Sequence, residues 1–117
     1  MADAVPTPHT ELFNDLLRLA VESKVSDVIV KAGKPGYVRR AGKLEAVEMD
    51  PIASEQAEAF VLEHVPRVFR QAWLDNGQVD FAYAAAGVGR FRVNAFHQRG
   101  SVSVVLRHIK DSVPTFE

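Results

Sequence analysis

The segment from Gly89 to Ile109 constrains the fold more than any other stretch of this chain. Two runs, 89–98 and 101–109, alternate apolar and polar residues and are joined by Arg99-Gly100 alone. Alternation with a period of two marks a strand with one buried face, and so short a connection forces the two runs antiparallel. If Arg99-Gly100 is a two-residue turn, with Gly100 supplying a positive φ, residues equidistant from it oppose each other. Val93 then meets Leu106 and Ala95 meets Val104 on an apolar face, while Arg92 meets Arg107 and Phe96 meets Ser103 on the other. A bulge near His97 would shift the pairing by one and send one arginine to the opposite face.

In the unbulged register two guanidinium groups lie side by side. Like charges directly opposite on a sheet destabilise it, and arginine cannot escape by losing its proton. The repulsion has to be offset by water and salt, by a carboxylate such as Asp80 on the neighbouring strand, or by a bound polyanion, for which planar guanidinium donors are well suited.

The remaining elements follow from spacing. Met1 to His9, broken by Pro6 and Pro8, reads as a loose leader. Thr10 is the expected cap of a helix whose Leu12, Phe13, Leu16, Leu17, Ala20 and Val21 recur at three- and four-residue steps. Strands are expected over 27–31, 37–40 and 44–48, separated by turn chemistry at Ala32 to Gly36 and at Ala41-Gly42-Lys43. Ser54 should cap a second helix with Ala57, Phe60, Val61 and Val65 inward. Pro66 suits the first turn of a third, carrying Val68, Phe69, Ala72 and Trp73 and ended by Asn76-Gly77. A strand over 79–84 precedes the hairpin, joined to it through Gly87. The order is one helix, three strands, two helices and three strands with short connections, which favours antiparallel pairing. The expected class is α+β, a mostly antiparallel sheet of about six strands with helices packed on it. The domain is read as 10–111, and 112–117 as the start of a linker.

Composition narrows the functions. A length of 117 residues suits one domain. Fourteen Lys plus Arg against fifteen Asp plus Glu leave a formal charge of -1, so no sequence-wide cationic field exists to hold nucleic acid or an anionic membrane. The absence of cysteine excludes disulfides and thiolate zinc sites. No run approaches the roughly 18 apolar residues of a membrane helix, and no basic region followed by an apolar run opens the chain, so the cytoplasm is the expected compartment. Ala32-Gly33-Lys34 is followed by Pro35 and lacks the hydroxyl of a Walker A loop; it reads as a turn, and this fragment by itself is not expected to be an enzyme. His9, His64, His97 and His108 show neither H-x-x-x-H nor H-x-H spacing, so no metal site is expected. Asp75, Asp80, Glu55, Glu58 and Glu63 read as solvated carboxylates, Trp73 and Phe69 as core, and Arg39 and Arg40 as a solvated edge.

The run Gly89-Arg90-Phe91-Arg92-Val93-Asn94-Ala95-Phe96, with Gln98-Arg99-Gly100 and Val105-Leu106-Arg107, closely resembles the N-terminal domain of PilT-type ATPases, which retract type IV pili and belong to the secretion ATPase superfamily. Ser26-Asp27 before an apolar strand, Ala32-Gly33 with Pro35, then Arg39 and Gly42, match the family's Ser-Asp-Leu-His-Leu, Gly-x-Pro-Pro and Arg-x-x-Gly positions in the same order. The resemblance runs from about Leu12 to Phe116. Two positions depart from the pattern: Ile29 stands where the family usually has histidine, and Gly36 replaces the second proline.

The resemblance implies a PAS-like N-terminal domain, linked to a P-loop ATPase domain that the chain lacks, in a homohexameric ring working at the inner face of the cytoplasmic membrane with the pilus platform protein. ATP and Mg belong to the intact protein and nucleic acid to neither. Two arginines fifteen residues apart reach the nucleotide phosphates in related secretion ATPases, and Arg92 and Arg107 match both position and spacing. Retraction is the expected activity, with a PilU-type or type II secretion motor as the alternative within the superfamily. Two readings of other classes stand beside it: a stand-alone PAS-like interaction or regulatory module, and a small-molecule sensor with a pocket between sheet and helices.

Overall fold

Arg99 and Gly100 have φ of 55° and 81°, both in the left-handed region, as in the type I′ turns that match the twist of a hairpin. In the computed structural model, which describes residues 6–109, this turn joins β5 (Gly89–Gln98) to β6 (Ser101–Ile109). Arg92 lies opposite Arg107, Val93 opposite Leu106, Ala95 opposite Val104 and Phe96 opposite Ser103, and the pairing runs unbroken past His97. The unbulged register is therefore the one adopted, and both arginines share a face.

The other elements are α1 (Pro8–Glu22), β1 (Asp27–Lys31), β2 (Tyr37–Arg40), β3 (Lys43–Ala46), α2 (Ser54–His64), α3 (Arg67–Asn76) and β4 (Gln78–Ala85). All six strands form one sheet in the order β3-β2-β1-β6-β5-β4, antiparallel throughout. The α+β class with a six-stranded antiparallel sheet is the one expected. Two consecutive three-stranded meanders are joined where β1 pairs with β6. One face carries Val28, Val30, Phe81, Val93, Val104 and Leu106 into a core with Phe13 and Leu17 of α1, Phe60 and Val61 of α2, and Trp73 of α3. Phe13 and Phe60 stack there with ring centroids 4.0 Å apart. Among the described residues no helix is long and apolar enough to cross a membrane.

The structure corrects several boundaries. Thr7, not Thr10, caps α1: its side chain accepts the Thr10 N–H, and Pro8 sits in the first turn, where its missing N–H costs no hydrogen bond. His9, expected in the leader, thus lies within α1, and Thr10 is buried. Ala53, not Ser54, holds the cap position of α2; Gln56 Oε1 accepts the Ala53 N–H at 2.7 Å, while Ser54 Oγ accepts the Val102 N–H and ties α2 to β6. Pro66 occupies the cap position of α3 rather than its first turn. In α3 only Trp73 is buried; Val68 is 80% and Phe69 44% exposed, so neither is core. The helix is short and meets the domain through Trp73, whose ring stacks on His97 at 4.5 Å, leaving the start of the apolar stripe uncovered. The expected linker lies outside the described residues.

Candidate functional site

The helices cover one face of the sheet; the arginines stand on the other. Following the pairings across the strands, Arg39 of β2, Asp27 of β1, Arg107 of β6 and Arg92 of β5 form a single row. Arg90 lies on the same face, two residues before Arg92. Beside the row, Ile29 stands between Tyr37 and Val105 and is itself buried, so the position where the resemblance expects histidine holds an apolar side chain two residues from Asp27.

Two carboxylates offset the repulsion between the opposed arginines. Asp80 of β4, the carboxylate named from sequence, lies 3.5 Å from Arg92 Nε, with both side chains more than half exposed. Asp27 is the one sequence reasoning missed. Only 4% exposed, it accepts from Arg107 through Nε to Oδ1 at 3.1 Å and Nη2 to Oδ2 at 3.4 Å, and Arg39 Nε also lies 3.4 Å from Oδ2. Arg39 is therefore a partner in this row rather than a solvated edge residue, while Arg40 turns to Glu45 at 3.1 Å. A charged residue opening a buried strand, in Ser26-Asp27, was the available signal.

Burial alone would push the Asp27 carboxyl up. Hydrogen bonds from Arg107 and Ser26 and the charges of Arg107 and Arg39 outweigh it and hold the group below the usual carboxylate range. The same hydrogen bond, with the charge of Asp27, raises Arg107 further above neutrality. Four arginines against two carboxylates leave the face positive. Asp80, Arg92, Asn94, Val105 and Arg107 line a shallow hollow of about 260 Å³ on it. Charged N–H donors around an open hollow suit an anion with several oxygens; the row itself offers no nucleophile.

The other singled-out residues lie elsewhere. Glu63 is not a free surface carboxylate: it accepts from Thr7 at 2.8 Å and Thr10 at 3.2 Å and meets His9 Nε2 at 2.5 Å. Burial counts against its ionisation, but these partners and the charge of His64 hold it low. His64 binds Thr10 Oγ1 at 2.7 Å beside Phe60 and Tyr83, and burial lowers its pKa. His97 stacks on Trp73 and His108 lies against Phe91.

No protein-family model matches the chain. Over 105 residues, 90% of its length, it is 40% identical to the type IV pilus ATPase PilU of Pseudomonas aeruginosa, of which it covers 28%. Over 103 residues it is 30% identical to the type IV pilus retractation ATPase PilT of the same organism, covering 88% of this chain and 30% of that protein. The uncharacterized protein YggR of Escherichia coli is 32% identical over 103 residues, again 88% of this chain and 31% of the other. Among solved structures, the pilus retraction motor PilT with bound ADP superposes with a TM-score of 0.77 at 33% identity, over 86% of this chain and 30% of that one. The ATPase DotB of Legionella pneumophila shares the fold, with a TM-score of 0.75 at 19% identity over 98% of this chain and 33% of its own. The chain spans less than a third of the length of the curated relatives it matches. In sequence and in fold together, it corresponds to the N-terminal domain of the PilT-type secretion ATPases.

Proposed function

We propose that the chain acts as the N-terminal domain of a type IV pilus retraction ATPase, its helix-free sheet face meeting the phosphates of ATP held with Mg by a P-loop ATPase domain. Binding and hydrolysis of the nucleotide then move this domain against its neighbours in a homohexamer, at the cytoplasmic side of the membrane and against the pilus platform protein. The observation that carries the reading is the opposed pair Arg92 and Arg107, kept in register on an open, net positive face. Such a pair is unfavourable by itself and gains from an anion.

In the protein carrying both domains, Arg92→Ala or Arg107→Ala is expected to lower ATP turnover by on the order of 100- to 1,000-fold, the range found when one oxyanion donor is removed. The 117-residue chain bearing Arg92→Ala should keep its stability, since that side chain is exposed, whereas Arg107→Ala leaves the buried Asp27 to Arg39 alone and should fold with reduced stability. Wild-type turnover by both variants contradicts the phosphate role. The higher identity to PilU than to PilT supports a second reading, a PilU-type motor that assists retraction; the arginines play the same part in either.

A further inference from the structure

Asp27 is the one charged side chain buried among the described residues, yet it stands on the face away from the core. What covers it are arginines. Arg107 engages it at two points, Nε to Oδ1 and Nη2 to Oδ2, the arrangement that fixes the plane of a guanidinium as well as its position. The carboxylate is itself held, because β1 is paired on both sides, with Arg39 and Arg107 as the direct neighbours of Asp27. Arg92, exposed to the same extent as Arg107 (71% against 69%), makes only one contact, at 3.5 Å, to the half-exposed Asp80. Exposed single-point pairs of that kind constrain a side chain little. The row thus holds one arginine clamped and one loose.

We propose that Asp27 is a positioning residue for this arginine pair: it locks the Arg107 guanidinium on the sheet face with donors left over for a phosphate oxygen, while Arg92 is the arm that closes onto the anion. The proposal rests on the phosphate reading of the face given above. Ordering a long cationic side chain opposes binding, so an arginine ordered beforehand by a fixed carboxylate meets its anion at less cost. Asp27 cancels only one of the two charges it faces, those of Arg39 and Arg107, so the row keeps a positive surplus beside the hollow.

The test uses the ¹⁵N-labelled chain and reads the Nε–H signals of the two arginines by NMR, with inorganic tripolyphosphate as the probe. The Arg107 signal is expected to be protected from exchange and that of Arg92 not. Asp27→Asn should speed exchange at Arg107 by about tenfold, the loss of one charge-assisted contact. In the wild type tripolyphosphate should move both signals along one binding curve; in Asp27→Asn the curves should separate, with Arg107 lagging. Unchanged exchange at Arg107, or a single shared curve in Asp27→Asn, overturns the positioning role alone. Lost protection with no response to tripolyphosphate in the wild type overturns the phosphate reading beneath it. If Asp27→Asn does not fold, Arg107→Lys keeps the charge without the two-point contact; its affinity for tripolyphosphate should fall about fivefold, and equal affinity overturns the proposal.

Discussion

At the residue scale, the titratable groups with shifted pKa values sit where they tie elements together, and their signs predict how stability responds to acid. His64 is held below the ordinary histidine value of about 6.5 because burial between Phe60, Tyr83 and Thr10 disfavours its charged form. Its unfolded form therefore takes up a proton first as pH falls, so stability is lost from about pH 6.5 downward, until the folded form protonates too. Asp27 and Glu63 are depressed as well, and they contribute stability that is present above the ordinary carboxylate range and lost as pH falls through their folded values. Urea denaturation across pH should thus show two acid losses, and His64→Gln should remove the upper one while leaving the lower. A single loss confined to the carboxylate range in both proteins would contradict the placement of His64.

At the element scale, the hairpin was legible because everything that sets its register is local: a two-residue turn, alternation on both sides, and a glycine able to take positive φ. The contact between Asp27 and Arg107 was not legible, since it depends on β1 pairing with β6 across eighty residues of chain, and no local pattern states which distant strands become neighbours. Helix periodicity had a different limit in α3. It shows that Val68, Phe69, Ala72 and Trp73 share a side, but not how much of that side the rest of the fold covers. The difference is measurable. Trp73→Ala should cost about 3–5 kcal/mol, as removal of a buried aromatic does, whereas Val68→Ala should stay within about 0.5 kcal/mol in the isolated chain, both read from denaturant midpoints. Equal costs would mean that α3 packs through its whole apolar stripe.

At the scale of the whole molecule, one arrangement accounts for both stability and site. All three helices lie on one side of the sheet, which frees the other, and the seam between the two meanders brings Asp27 beside Arg107 at its centre. A core on one face and a charged row on the other is what a domain needs if it is to fold by itself and still present donors to something held elsewhere. The likeness to PilU and PilT, over less than a third of their length, supports placing that something in an adjoining ATPase domain. The most direct measurement is a structure of the protein carrying both domains with a non-hydrolysable ATP analogue and Mg. A guanidinium nitrogen of Arg92 or Arg107 is expected within hydrogen-bonding distance of a phosphate oxygen, with Arg107 still seated on Asp27. A nucleotide contacted by neither arginine in any subunit, with the helix-free face turned away from it, would contradict the phosphate role of this face.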